Sequence, residues 1–265
     1  MAVRVEQRGS VVTVIHSRPE ARNAMDPQSA DALAEAFQRF EREPTANVAV
    51  LWGEGGTFCA GFDLKYATSL SGDRPLAHLD FPERGGRPPR GPLGPTRLEL
   101  SKPVIAAVAG AAVAGGMELA LWCDVRVMEE DAYFGVYCRR WGVPLLDGGT
   151  VRLPRLVGQG RALEIILTGR KVPAEECLRI GACEQVVARG ESRSAAEALA
   201  QEIARFPQAC VRTDRASVLR THGLPLQEAL RSEWEHGQDA LVREAIPGAA
   251  RFAAGKGRHG DFEDI

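Results

Sequence analysis

The sequence lacks the residue patterns that mark most metal, redox and nucleotide sites. Its six cysteines include no CxxC pair, and its five histidines form no HExxH pair. No glycine-rich segment ends in GK[ST], and GEGGTF does not match the dinucleotide fingerprint. These absences remove the main support for a nucleotide-hydrolysing or NAD-dependent enzyme, and we expect neither a metal nor a redox cofactor.

The sequence also has little net charge and no long apolar run. A net charge of -2 over 265 residues provides no electrostatic argument for a nucleic-acid partner. The start, MAVRVEQRGS, has no apolar signal core, and no apolar run is long enough to cross a bilayer, so we expect no membrane insertion. The scattered cysteines are typical of free thiols in a reducing compartment, which predicts a cytoplasmic protein.

Strand and helix patterns alternate along the first two thirds of the chain, which predicts an α/β core. An aspartate followed by proline at 26–27 is a strong helix start. The predicted elements are hairpin strands at 3–6 and 11–16, a helix at 26–42, and buried strands at 48–52 and 102–108.

One carboxylate, Glu118, stands inside the apolar segment VIAAVAGAAVAGGMELALWCD. It comes just after a glycine pair and is flanked by Met117 and Leu119. Such surroundings make the charged form costly, so the pKa of Glu118 is expected to be raised. A carboxyl group tuned in this way suits a general acid or base near neutral pH.

Two glycine turns are candidates for binding an oxygen atom. Gly115 and Gly116 are predicted at a strand-to-helix turn, where unpaired N–H groups point outward and a ligand can approach closely. Gly61 follows the buried strand at 48–52 and would aim the N–H of Phe62 at the same oxygen. Two such donors beside a raised carboxyl suit chemistry next to a carbonyl, although either turn alone is more often only a turn.

Five blocks in the right order resemble the enoyl-CoA hydratase/isomerase, or crotonase, superfamily over nearly the whole chain. The blocks are RPEARNAM, FCAGFDLK, VAGAAVAGGMELALWCD, GGTVRLPRLVG and LTGRKVPAEECLRIGACEQVV. The resemblance implies a spiral of ββα units with a C-terminal helical region. The composition changes to helical segments after residue 190, which divides the chain into an acyl-CoA core at 1–190 and a helical region at 191–265. By resemblance, these helices cover the active site and build a homo-trimer or hexamer.

The resemblance also implies roles for individual residues. The backbone N–H groups of Phe62 and Gly115 would form the oxyanion hole for an acyl-CoA thioester, and Glu118 falls on the first of two hydratase glutamates. Cys138 occupies the position of the second glutamate, which departs from the family pattern. Asp147 lies near the catalytic aspartate of related dienoyl-CoA isomerases and a halobenzoyl-CoA dehalogenase, although an aspartate before two glycines also suits a turn.

The expected partner is an acyl-CoA, with coenzyme A as part of the substrate and no separate cofactor. By resemblance, Arg22 and Ala24 lie beside the pantetheine and phosphates, whereas Ala60, Asp63 and Leu64 line the adenine region. We predict addition of water to a trans-2-enoyl-CoA through an enolate. The alternatives are an enoyl-CoA or dienoyl-CoA isomerase, thioester hydrolysis, and a catalytically weak acyl-CoA-binding oligomer.

Several segments leave two interpretations open. Residues 72–95 are dense in glycine, proline and arginine, which predicts no internal helix or strand; the segment is either a lid over the acyl pocket or a disordered surface loop. Cys138 is either a nucleophile or a small structural residue, and the second is favoured. Helices predicted at 192–206, 208–219 and 225–244 have amphipathic faces that packing within one chain also explains, and a mobile tail is predicted at 255–265.

Overall fold

The structure is a computed structural model that describes residues 2–257, so most of the predicted mobile tail lies outside the described residues. The strands are β1 (Val3–Arg8), β2 (Val11–His16), β3 (Val48–Gly53), β4 (Val104–Val108), β5 (Ala111–Val113), β6 (Val125–Glu129), β7 (Tyr133–Gly135), β8 (Lys171–Pro173) and β9 (Gln185–Val187). The helices are α1 (Pro27–Arg42), α2 (Leu64–Ala67), α3 (Gly115–Trp122), α4 (Gly149–Val157), α5 (Gln159–Thr168), α6 (Ala174–Ile180), α7 (Ser192–Ala204), α8 (Gln208–Thr221), α9 (Leu226–Ala240) and α10 (Ile246–Ala253).

Two sheets form the core. The larger sheet has the order β1-β2-β3-β4-β6-β9, and all of its pairings except β1 with β2 are parallel. The smaller sheet has the order β5-β7-β8. β2 and β4 are buried at every residue, because helices and the second sheet cover both faces of the larger sheet. This burial explains why their sequences are continuous apolar runs, and the predicted α/β core is confirmed.

Alternate residues of β3 belong to two separate hydrophobic clusters. Ala49 and Leu51 join the main cluster with α1 and α3, whereas Val48 and Val50 join a smaller one. Side chains of a strand point to opposite faces in turn, so β3 separates the two clusters. On the second face, α7 packs through its small residues, which lets the helix approach the sheet closely.

The C-terminal helices pack differently from α7. Helices α8 and α9 contact each other, and a π-helical turn at Leu241–Ala245 joins α9 to α10. Packing of a helix against the larger sheet therefore gives way, after α7, to packing of helices against each other. The predicted division at residue 190 stays a prediction, since the packing within one chain does not define folding units. Among the helices of residues 2–257, none has the length and apolar character needed to span a membrane.

The four predicted strands and the predicted helix α1 are confirmed, whereas the strands β5 to β9 are not among the sequence-based predictions. β2 and α1 have the predicted bounds, and the Asp26 side chain caps α1 by accepting a bond from the Ser29 N–H at 2.8 Å. The glycine pair does begin a helix, α3. The strand directly before it is β5, which was not predicted because three small residues leave almost no periodic signal.

The two glycine turns meet in close contact. A Cβ atom on Gly61 would lie only 3.0 Å from the Gly115 nitrogen. A Cβ atom on Gly116 would lie 2.0 Å from the carbonyl oxygen of Cys59, a distance that no relaxed structure allows. The loop that follows β3 and the start of α3 can therefore approach each other only because both turns carry glycine.

We expect Gly116→Ala to lower the free energy of unfolding by about 3 kcal/mol, because the new methyl group would overlap a backbone oxygen that cannot move alone. Urea denaturation measures the loss. Gly160→Ala is the matched control: Gly160 lies in α5 with open space around its Cβ position, so alanine should stabilise by up to about 1 kcal/mol. Equal stability of the two variants would contradict the close-contact explanation.

Candidate active site

A cavity of about 330 Å³ opens where the two glycine turns meet. Its wall comes from α2, the turn around Leu93, the start of α3 and the segment 137–147. Two ionisable carboxyl groups, Glu118 and Asp147, stand in this wall. The rest is mainly apolar and includes Phe62, Leu70, Leu76, Leu93, Tyr137 and Leu146. The site therefore offers acid–base chemistry inside a pocket suited to a hydrocarbon chain.

Phe62 and Gly115 both line this cavity. Phe62 pairs with Met25 through its neighbours, since the Met25 N–H donates to the Gly61 carbonyl at 2.7 Å and the Asp63 N–H donates to the Met25 carbonyl at 2.9 Å. This parallel pairing leaves the Phe62 N–H unused. Gly115 is the first residue of α3, so its N–H has no acceptor within the helix. Among the described residues, no acceptor contacts either group.

Ala114 holds a strained backbone conformation directly before Gly115. Its φ is 54° and its ψ is -126°, a region that residues with a side chain rarely occupy. Such a conformation costs on the order of 1–3 kcal/mol and persists only where the surroundings enforce it. Here the Ala114 N–H donates to the Gly135 carbonyl at 2.7 Å, which ties the turn to β7. The turn is thus fixed rather than adaptable.

Glu118 is buried in α3 with only 2% of its surface exposed. Burial, followed by the charge of Asp147, raises its pKa to about 7. The opposing influence is hydrogen bonding: the N–H groups of Asp147 and Gly149 donate to Glu118 Oε1 at 2.9 Å and 2.8 Å. The predicted burial and raised pKa are confirmed, while its role in catalysis stays a prediction.

Asp147 is buried beside Glu118 and accepts two hydrogen bonds on one oxygen. The Leu93 N–H donates to Asp147 Oδ1 at 3.1 Å, and the Thr96 hydroxyl donates to the same atom. Burial raises the pKa of Asp147, whereas these bonds and the positive charges of Arg97 and Arg152 lower it. Asp147 lines the cavity and its carboxylate also holds the turn at Leu93, while its role in catalysis stays a prediction.

Cys138 also lines the cavity and is almost completely buried, with 7% exposed. Burial and the nearby Glu118 raise the pKa of its thiol, so the thiol is neutral at pH 7. Among the described residues that line the cavity there is no histidine that would activate it. These surroundings favour the structural interpretation over the nucleophile.

The structure brings together the two segments predicted to bind coenzyme A. The Ala60 N–H donates to the Arg22 carbonyl at 3.1 Å, and Ala60 and Leu64 reach the cavity wall. The Arg22 side chain is exposed, and Ala24 lies next to it in the same half-buried loop. Asp63 instead caps α2 and pairs with Arg18 at 3.2 Å. Contact with the coenzyme stays a prediction for all five residues.

The proline-rich segment at 72–95 borders the cavity through Leu76, Pro92 and Leu93. As predicted, it forms no strand or α-helix, although it contains a 3-10 turn at Ala77–Leu79. Its last part is buried and anchored, since Arg90 contacts α1 through Asp31. This anchoring does not fit a fully disordered loop, while opening and closing as a lid stays a prediction. Thr96, which bonds Asp147, was missed because a lone threonine in a loop carries no sequence signal.

No residue of the C-terminal helices, in the part of the chain that the structure describes, lines the cavity. α8 instead contacts the opposite end of the larger sheet, where Arg215 pairs with Asp124 at 2.9 Å, before β6. The expectation that these helices cover the active site is therefore not met within one chain. Cover by the helices of a second copy stays a prediction.

Comparison with known proteins identifies the family. The family model for enoyl-CoA hydratase/isomerase matches residues 6–247. An enoyl-CoA hydratase of Mycobacterium tuberculosis is 33% identical over 258 residues, covering 94% of this chain and 92% of that protein. A carnitinyl-CoA dehydratase of Proteus mirabilis is 37% identical over 223 residues, covering 83% of this chain and 81% of that protein.

Solved structures agree with the sequence comparison. A crystal structure of an enoyl-CoA hydratase from Mycobacterium tuberculosis superimposes with a TM-score of 0.85 at 31% identity and covers 96% of both chains. The chain has the crotonase-like fold that the resemblance implied. It belongs to the enoyl-CoA hydratase/isomerase family and is an enzyme of that family.

We expect Glu118→Gln to change how stability depends on pH. The folded pKa of about 7 lies above the unfolded value of 4.5, so Glu118 destabilises the fold increasingly as pH rises from 4.5 through 7. Glutamine keeps the oxygen that accepts both N–H groups but cannot ionise. Between pH 4.5 and pH 8, the variant should gain about 3 kcal/mol relative to wild type.

Urea denaturation at the two pH values measures this gain. Glu130→Gln, an exposed glutamate at the end of β6, serves as the control and should keep a constant difference from wild type. A constant difference for Glu118→Gln as well would show that Glu118 is not held at a raised pKa.

Proposed function

We propose that this protein adds water to a trans-2-enoyl-CoA. The observation that carries the proposal is the position of Glu118, a buried carboxyl with a pKa near 7, beside the unpaired N–H groups of Phe62 and Gly115. Two backbone donors at one cavity would stabilise the negative charge that develops on a thioester oxygen. A carboxyl with a pKa near neutrality is half ionised there and can both accept and donate a proton.

The proposed reaction proceeds through an enolate. The thioester oxygen accepts hydrogen bonds from the two N–H groups, and the Glu118 carboxylate takes a proton from water. The water oxygen bonds to the β carbon, and the double-bond electrons move onto the thioester oxygen. The enolate then collapses as the α carbon takes a proton, from Glu118 or from Asp147 as a second acid. Proton and electron counts balance without any further cofactor, and coenzyme A leaves as part of the product thioester.

The names of the relatives support a reaction that adds or removes water. One is called an enoyl-CoA hydratase and another a carnitinyl-CoA dehydratase. Recognition of the coenzyme would fall to Arg22, Ala24, Ala60, Asp63 and Leu64, because these residues form the loop pair at the rim of the site. A cytoplasmic location and a role in fatty acid metabolism are further parts of this proposal.

One observation favours isomerisation as the second candidate. Cys138 stands in the cavity as a neutral thiol where a second glutamate would be expected in a hydratase. A single glutamate suffices to move a proton between the α and γ carbons of a 3-enoyl-CoA. Thioester hydrolysis would instead release free coenzyme A thiol, and a catalytically weak acyl-CoA-binding oligomer would bind without turnover.

We expect trans-2-enoyl-CoAs of short, medium and long chain to lose their conjugated absorbance on addition of the protein, with the hydrated product identified by mass. Glu118→Gln should lower turnover by about 10²–10⁴-fold, because the general acid–base group is lost. Glu130→Gln should match wild type. Binding of the CoA esters without any turnover would contradict hydration, and conversion of 3-enoyl-CoAs would then identify an isomerase.

We further propose that the chain assembles into a homo-trimer, paired into a hexamer. Helices α8 and α9 and the turn that follows present an apolar face that the rest of the described chain leaves uncovered, with Trp234 67% exposed. A continuous exposed apolar face of this kind marks a protein interface. The exposed residues include Val218, Leu226, Leu230, Trp234, Val242 and Ile246.

We expect Trp234→Glu to dissociate the assembly, because a charge would have to be buried at the interface. Light scattering after size exclusion measures the mass, which should fall from a multiple of three chains toward one chain. Val5→Glu, an equally simple change at an exposed position of β1, should leave the mass unchanged. A wild-type mass of one chain would contradict the proposal.

A further inference from the structure

Arg152 joins two segments of the cavity wall that are far apart in sequence. Its side chain extends from α4, and its Nη1 donates to the Asp147 carbonyl at 2.8 Å. Its Nη2 donates to the Thr96 carbonyl, also at 2.8 Å. One planar guanidinium therefore holds the turn that ends the proline-rich segment against the turn that precedes α4.

Glycines make room for this arrangement. A Cβ atom on Gly148 would lie 2.3 Å from Arg152 Nη1, and Gly148 has a φ of 95° that favours glycine. A Cβ atom on Gly91 would lie 2.0 Å from Thr96 Oγ1 and 2.5 Å from Asp147 Oδ1. Two separate turns thus carry glycine, which has no side chain, at the points where Arg152, Thr96 and Asp147 pack together. The cluster is a packed unit and not a chance surface contact.

The cluster connects directly to the acid–base group. Asp147 donates its N–H to Glu118 Oε1 at 2.9 Å, while its carbonyl accepts from Arg152 and its carboxylate accepts from the Leu93 N–H at 3.1 Å. Leu93 in turn lies in the cavity wall, 2% exposed. A shift of the Asp147 backbone would therefore change both the orientation of Glu118 and the shape of the cavity.

We propose that Arg152 is a positioning residue, which clamps the cavity wall around Leu93 to the Asp147–Glu118 pair and so keeps the pair aligned with the acyl chain. This inference rests on the proposed function. Arg152 does not line the cavity, and it acts through the two carbonyl groups that it holds. Arginine suits this task because its rigid fork donates to two acceptors at once, which lysine cannot reproduce.

The charge of Arg152 has a separate effect. The charged or titratable groups that face Asp147 are Arg97, Arg152, Glu118 and Cys59. Loss of the positive charge of Arg152 should raise the pKa of Asp147 and, since Glu118 also interacts with Arg152, that of Glu118. Lysine keeps the charge but loses the double clamp, so the two effects can be separated.

We expect Arg152→Met to lower kcat/KM by about 10²-fold, a loss typical of misplaced catalytic groups, and to move the acidic limb of the pH profile upward. Arg152→Lys should keep the wild-type pH profile while losing part of kcat/KM. Arg155→Met is the matched control, since Arg155 lies one turn further along α4 and is exposed. It should leave the rate and the pH profile unchanged.

Hydrogen exchange provides a readout that does not depend on turnover. Backbone amides of residues 91–97 should exchange at least 10-fold faster in Arg152→Met than in wild type or Arg155→Met, and the affinity for an acyl-CoA relative to free coenzyme A should fall. If wild type lacks hydration activity but these changes occur, only the proposed function fails. Unchanged exchange, relative affinity and pH profile in Arg152→Met would overturn the role of Arg152.

Discussion

The cost of charging one buried carboxyl group organises the site. Glu118 is surrounded by apolar side chains of α3, so its charged form depends on the N–H groups of Asp147 and Gly149. These two donors hold the carboxyl in place and keep its pKa near neutrality rather than far above it. The segment at 147–149 must therefore present its backbone N–H groups to Glu118. It passes so close that a Cβ atom on Gly149 would lie 2.9 Å from the Glu118 side chain.

A second constraint, close backbone contact, places the N–H donors. The loop at 59–61 follows β3 of the larger sheet, the start of α3 follows β5 of the smaller sheet, and only glycine allows the two to meet. The strain at Ala114 shows that the turn is held by its surroundings and not by local preference. Backbone packing thus fixes the two N–H groups, and donors that need not reorganise are the physical basis of efficient charge stabilisation in general.

Much of this arrangement could be predicted from the sequence, because its signals are local. Three signals depend only on neighbouring residues in the sequence: an isolated glutamate in an apolar run, a glycine pair before a helix and an aspartate-proline helix start. The parts that could not be predicted depend on contacts between distant segments. β5 is too short to show a hydrophobic period, and Thr96 contacts Asp147, which lies 51 residues away in the sequence. The surface against which α8 packs cannot be predicted from the spacing of its residues.

Cys138 stands in the cavity wall at the position where the resemblance implies a second glutamate. A buried neutral thiol neither takes a proton nor adds charge near Glu118 at neutral pH, so Asp147 is the remaining acidic neighbour in the wall. Burial raises the pKa of Asp147, although the Leu93 N–H, the Thr96 hydroxyl and nearby cations favour its charged form, and the charge of Asp147 in turn raises the pKa of Glu118. Burial thus raises the pKa of both carboxyl groups, and Glu118, with a pKa of about 7, is the group whose proton is exchangeable near neutral pH.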